Sequence, residues 1–107
     1  MNEAEIATVT ERVRAALRTV IDPEAGMNVV DLGLVYAIEV DDAGVRVALT
    51  MTSPTCPMGD LIVDEARQAV AAVLPAGSAL AVDLVWEPPW GPQRMSAQAR
   101  AHFGWED

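Results

Sequence analysis

Apolar residues recur first at helical spacing and then at every second position, and that change of period sets out the elements. In "TVTERVRAALRTVI" Val9, Val13, Leu17 and Val20 recur three or four apart, with Arg12, Arg14 and Arg18 between them, which predicts an amphipathic helix. Thr8 followed by Glu11 matches a capping box, in which each side chain satisfies the other's backbone N–H. Pro23 disfavours helical geometry at Asp22, so this helix is predicted to end near Ile21. "DPEAGMNVVDLG" reads as a loop. From Leu34 the period becomes two, with Leu34, Tyr36, Ile38 and Val40 on one face of a first strand. "DDAG", Asp41 to Gly44, predicts a hairpin turn in which Gly44 takes positive φ. Val45, Val47, Leu49 and Met51 then alternate with Arg46, Ala48, Thr50 and Thr52, a half-buried second strand.

"DLIVDEARQAVAAVL" returns to the helical period, with Leu61, Ile62, Ala66, Ala69, Val70 and Val73 apolar and Pro75 and Gly77 as the stop. "ALAVDLVW" is a third strand on Leu80, Val82, Leu84 and Trp86. A short helix from about Ala97 to Phe103 follows "EPPWGP", capped by Ser96 and Gly104. The order helix, strand, strand, helix, strand, helix predicts an α+β two-layer sandwich with helices covering one face of a small sheet. If the second and third strands are parallel neighbours, the helix between them makes a right-handed crossover.

Composition narrows the possibilities. The chain has 107 residues, half of them apolar, which suits one domain over residues 1–107 with a single core. Charge interrupts every apolar run of "MNEAEIATVTERVRAAL", and no stretch approaches the roughly 18 apolar residues of a membrane span. A cytoplasmic protein that engages no membrane is expected. Sixteen acidic against seven basic residues give a formal charge of −9. Such a surface repels phosphate backbones, so no nucleic-acid partner is expected.

The sole cysteine, Cys56, lies in "MTSPTCPMGD" between Pro54 and Pro57. Free cysteine is most often a small buried hydrophobe. Here the segment is bounded by prolines, stands just before a predicted helix whose N-terminal N–H groups favour an anion, and offers the hydroxyls of Thr52, Ser53 and Thr55. Asp60, Asp64 and Glu65 oppose a thiolate there. These local features leave both readings open. His102, the sole imidazole, sits on the terminal helix, so a cysteine-hydrolase arrangement lacks an identifiable orienting group. One thiol falls short of the roughly four ligands of a closed zinc or iron–sulfur site, so a metal at Cys56 needs ligands from a second chain, a partner or a small thiol.

Asp22, Glu24 and Asp31 form a second polar group, readable as turn chemistry or as a functional surface. In "WEPPWGPQRM" either Trp86 enters the core with Trp90 packed over it, or Trp86, Pro89, Trp90 and Met95 form a partner-docking surface.

"DPEAGMNVVDLGLVYAIEV", "MTSPTCPM" and "LVWEPPWGPQRMSAQAR", in that order, resemble the metal–sulfur cluster biosynthesis family, over about Val13 to Gly104. That family includes PaaD-like and SufT-like bacterial proteins and the eukaryotic cytosolic iron–sulfur targeting factors. The resemblance implies the iron–sulfur cluster assembly domain fold and a role in building clusters or delivering them to recipient apoproteins, without metabolite turnover. It implies that Cys56 is the family's reactive cysteine and a transient ligand of iron or a cluster. By the same resemblance Asp22, Pro23 and Glu24 are the acidic motif and Asp31, Leu32 and Gly33 the motif opening the first strand, lining one surface with Thr52 and Thr55. The implied partners are the iron–sulfur assembly machinery and recipient proteins, with a homodimer as a further expectation. Thr55 stands where many relatives have glycine. The 107 residues lack the cysteine-rich C-terminal extension of PaaD proteins proper, so a SufT-like or general maturation role is expected. They also lack a nucleotide-binding glycine loop, so no nucleotide is expected. An adaptor that docks recipient proteins, with Cys56 incidental, is the alternative.

Overall fold

In the computed structural model, residues 2–23, 25–51, 59–75 and 77–104 are described. Glu24, Thr52, Thr55 and Cys56 therefore lie outside the described residues.

Helix α1, Glu3–Leu17, begins earlier than the periodicity predicts. Asn2 is its N-cap, its side-chain oxygen accepting the Glu5 N–H at 2.8 Å. Thr8 is one turn inside, and its hydroxyl donates back to the Ala4 carbonyl at 2.9 Å, so the expected Thr8–Glu11 capping box does not form. The helix also stops four residues before Ile21. Val20 is buried, in keeping with its spacing, but it reaches the core from a turn closed by its N–H on the Leu17 carbonyl. Ile21–Asp22 (β1) and Met27–Asn28 (β2) then form a two-residue antiparallel ladder inside the predicted loop.

The main sheet has the order β3-β4-β5, with β3 at Val35–Asp41, β4 at Gly44–Leu49 and β5 at Leu80–Leu84. Strands β3 and β4 form the predicted hairpin. Asp41 Oδ1 accepts the N–H groups of Ala43 and Gly44, and Gly44 has φ of 147°. A Cβ at Gly44 would strike the Ala79 carbonyl, so both close packing and backbone angle require glycine there. Strands β4 and β5 are parallel neighbours, Val45 opposite Leu80 through Leu49 opposite Leu84, joined through α2, Gly59–Ala71. Helices α1 and α2 close over the sheet face carrying Val45, Val47, Leu49 and Val82, and Val13, Leu17, Ile62, Ala66 and Val70 complete that core. This is the expected two-layer α+β arrangement.

Three local departures follow from packing. The buried row of α2 is Ile62, Ala66 and Val70, so Leu61, about 100° around the helix from Ile62, is 45% exposed. Thr50 was expected on the solvent side of a longer strand. Instead β4 ends at Leu49, and Thr50 is buried with its N–H on the Leu34 carbonyl at 2.8 Å. In β3 the register shifts between Val35 and Ala37, a bulge. It breaks the alternation, so Val35, Ile38 and Val40 pack on the core while Tyr36, predicted among them, does not. Helix α3, Ala97–Phe103, has the predicted caps: Ser96 accepts the Ala99 N–H, and Gly104 is left-handed with φ of 74°. The 3-10 turn before it, Pro92–Arg94, had no signal in the period.

Candidate functional site

Two neighbouring β-strand ends define the site. At the carboxyl end of β4, Leu49 accepts the Val85 N–H at 2.7 Å, so the chain leaving β5 starts beside the chain leaving β4. Helix α2 begins at buried Gly59, where a Cβ would lie 3.3 Å from Leu84 Cδ2 and 3.7 Å from Met51 Cγ. The residues flanking 52–58, Met51 and Gly59, are thus close neighbours, both at the carboxyl edge of the parallel pair. Open α/β sheets tend to bind ligands at such edges, where helix N-termini also present free N–H groups.

The turn Asp31–Gly33 is held to the same edge, because Leu34 accepts the Thr50 N–H. Its shape is set by Asn28, whose Oδ1 accepts the Asp31 N–H at 2.9 Å and whose Nδ2 donates to Asp31 Oδ2 at 2.8 Å. Gly33 has φ of 76°, and a Cβ there would collide with the Arg94 backbone, so this position requires glycine twice over.

The stretch from Trp86 to Ser96 straps across this turn. The Trp90 indole N–H donates to the Leu32 carbonyl at 2.8 Å, and the Ser96 N–H to the Asp31 carbonyl at 2.8 Å. The Tyr36 hydroxyl donates to the Pro88 carbonyl at 2.7 Å, and the Arg94 guanidinium lies 4.6 Å from the Tyr36 ring centroid. Two of the three sequence motifs, the Asp31–Gly33 turn and the Trp–Pro strap, therefore meet at the edge from which the cysteine-bearing segment departs.

The individual residues divide differently from the sequence reading. Asp22 is buried, 1% exposed, and works as a turn anchor: its Oδ1 accepts the Ala25 N–H at 3.4 Å and its carbonyl the Gly26 N–H at 2.7 Å. It is not a solvated loop carboxylate. Asp31 is half-buried, its carboxylate bonded to Asn28. Trp86 is 43% exposed and so is not the core residue that one reading made it, and Pro89 is exposed too. Trp90 is half-buried against the core. Met95, expected on a docking surface, is only 6% exposed and belongs to the core, because the 3-10 turn directs it inward. His102 is exposed and sits edge-on to Phe103, the ring centroids 5.0 Å apart. Among the described residues no group of three or more His, Cys, Asp or Glu could hold a metal ion. Likewise, no helix among them is long and apolar enough to cross a membrane.

Tyr36, predicted only as one of the residues on a strand face, and Arg94 are not singled out as site residues by the sequence. The available signal was weak: one aromatic in an otherwise aliphatic strand, and one cation closing "GPQR".

Comparison with known proteins agrees with this architecture. A crystallised domain of unknown function from Bacillus anthracis superposes with a TM-score of 0.89 at 35% identity, covering 98% of this chain and all of that one. The Fe-S protein maturation auxiliary factor SufT of Staphylococcus aureus is 46% identical over 86 residues, 79% of this chain and 97% of that one. The Fe-S protein maturation auxiliary factor YitW of Bacillus subtilis is 41% identical over 95 residues, 88% of this chain and 92% of that one. The family described as "Iron-sulfur cluster assembly protein" matches residues 10–83, from within α1 to within β5. With most of its length matched in this way, the chain belongs to the iron–sulfur cluster assembly protein family.

Proposed function

We propose that this protein is an iron–sulfur cluster maturation factor that helps build clusters or deliver them to recipient proteins, with Cys56 as the transient ligand of the cargo. It acts in the cytoplasm beside the assembly machinery and is not an enzyme. The observation that carries this reading is the family match across residues 10–83, a span that includes Cys56 and both residues flanking its segment. The position of Met51 and Gly59 at the carboxyl edge of β4 and β5 adds support, since a thiolate is favoured by nearby helix N-terminal N–H groups.

Ligand count shapes the chemistry. Cys56 is the only thiol, whereas a closed iron–sulfur site takes about four ligands. Two chains related by a two-fold axis supply two thiolates, and a small thiol or a recipient protein fills the other positions. Such a cluster is labile, which suits transfer and would be a defect in an electron carrier.

Anaerobic reconstitution with iron and sulfide tests the reading. The wild-type protein is expected to gain a visible chromophore that chelators remove and that accompanies dimer formation; Cys56→Ser is expected to fold normally and gain neither. In the native state Cys56 should react with iodoacetamide within about tenfold of a free thiol. A stable cluster in Cys56→Ser would overturn the ligand role. Labelling only after denaturation would make Cys56 a core residue and leave the adaptor reading.

A further inference from the structure

Arg94 is the cation of the strap, and its surroundings are unusual for this chain. With 16 carboxylates against seven arginines, cations here have many acidic neighbours to choose from. Arg14, Arg46 and Arg67 each lie within 4.0 Å of one, at Glu11, Asp83 and Asp64. Arg94 is exposed, and no carboxylate among the described residues lies within ion-pair distance of it. Arg12 and Arg18 also lack an ion pair among the described residues, but nothing comparable fixes them.

Arg94 is held on an aromatic ring, 4.6 Å from the Tyr36 centroid. Tyr36 is itself fixed twice, by the bulge in β3 and by its hydroxyl on the Pro88 carbonyl at 2.7 Å. A guanidinium stacked in this way keeps its in-plane N–H fork available while losing little freedom on binding. Beside it lies apolar surface. Pro88 and Pro89 are exposed, and Trp86, 43% exposed, is two residues from Pro88, a chain reach of at most about 7 Å. An aromatic, prolines and a preorganised arginine are the composition of a binding hot spot rather than of an ordinary acidic surface. Trp86 and Arg94 also lie beyond residue 83, where the family match ends.

We infer that Arg94, Tyr36, Trp86 and Pro89 form a docking surface for a partner segment that presents a carboxylate next to an apolar side chain. The guanidinium takes the carboxylate through its fork, and Trp86 with Pro89 takes the apolar neighbour. The occupant is acidic because, among the described residues, the charge that a ring contact fixes at this surface is the positive one of Arg94, whereas Glu87, between Trp86 and Pro88, is exposed to solvent. Cys56 has no part in this inference.

The test uses two synthetic peptides, acetyl-Ala-Glu-Leu-Glu-Ala-amide and its counterpart with glutamine in place of glutamate. Each is titrated to millimolar concentration into the full chain while the indole N–H resonances are followed, with Trp86→Phe assigning the Trp86 signal. The glutamate peptide should shift the Trp86 resonance and bind roughly threefold to fivefold more tightly than the glutamine peptide, as an exposed charge pair allows. The Trp90 indole, bonded to Leu32, should stay in place. Arg94→Gln should abolish the preference for glutamate with an unchanged melting curve, and Arg94→Lys should retain part of it. Equal response to the two peptides, a preference that survives in Arg94→Gln, or shifts confined to other resonances would overturn the proposal.

Discussion

The sandwich of α1, α2 and the main sheet and the strapped turn region, residues 20–34 with 85–96, are built on different principles. In the sandwich, Leu17, Leu49, Val47, Ile62 and Val70 are essentially inaccessible and carry no polar atoms beyond the backbone. Non-directional burial holds them, at about 1.5–3 kcal/mol for each fully buried side chain. In the turn region Val29, Leu32, Leu34 and Met95 reach into the same core, but the ladder is two residues long and the exposed shape is pinned by single bonds between distant residues: Trp90 to Leu32, Ser96 to Asp31, and Tyr36 of β3 to Pro88. The comparison teaches that periodic apolar patterning builds the platform, while directional bonds fix the geometry of the surface it presents. The platform should therefore respond to mutation as one cooperative unit, and the strap site by site.

The largest expected effect is in the platform. Leu49→Ala removes a side chain that is 0% exposed, and should cost about 2–5 kcal/mol. In urea, far-ultraviolet circular dichroism and tryptophan fluorescence should lose signal together at a lower midpoint. Separate transitions would show that the strap region unfolds independently of the platform.

Asp22→Ala comes next. Removing this buried carboxylate takes the acceptor from the Ala25 N–H, at about 1–3 kcal/mol. The expected result is a lower melting temperature in proportion to any loss of maturation activity in cells. Lost activity with an unchanged melting temperature would assign Asp22 to function instead of to the turn.

Trp90→Phe should be the smallest. It keeps most of the apolar contact and removes the indole N–H from the Leu32 carbonyl, worth about 0.5–1.5 kcal/mol. Amide hydrogen exchange should accelerate at Leu32–Leu34 and Ser96 while the amides of β4 and β5 stay protected. Uniform acceleration across the sheet would erase the distinction between the two regions.

The same division explains what the sequence made legible. The alternation Val45, Val47, Leu49, Met51 and the caps Ser96 and Gly104 are local signals, and they led to the right elements. The bulge at Tyr36 was invisible, because a period of two carries no mark where one residue is skipped. The start of α1 was misplaced because Thr8–Glu11 has capping-box spacing, while Asn2, with its bond to Glu5, lies outside the strongest apolar run. In the strap, the sequence left Trp86 open between core and surface and placed Met95 on a docking surface, since which apolar residue turns inward there is decided by contacts with Leu32, Gly33 and Tyr36, remote in sequence. Burial of Asp22 was likewise unreadable, because a carboxylate that accepts a nearby backbone N–H looks in sequence like any turn residue.

The adjacency of Met51 and Gly59 at Leu84 has a consequence for how this scaffold diversifies. A connection whose two anchor points already touch has little closure entropy to lose, and doubling its length costs only about 0.6 kcal/mol. Insertions and deletions between these anchors are expected to leave β4 and α2 in register, because the described core contacts of both elements, Val45, Val47 and Leu49 with Ile62, Ala66 and Val70, lie outside the connection. Descendants of one ancestor can thus vary this stretch while inheriting the platform intact. For the same reason, grafting a foreign segment between Met51 and Gly59 is a practical route to new metal chemistry on this frame.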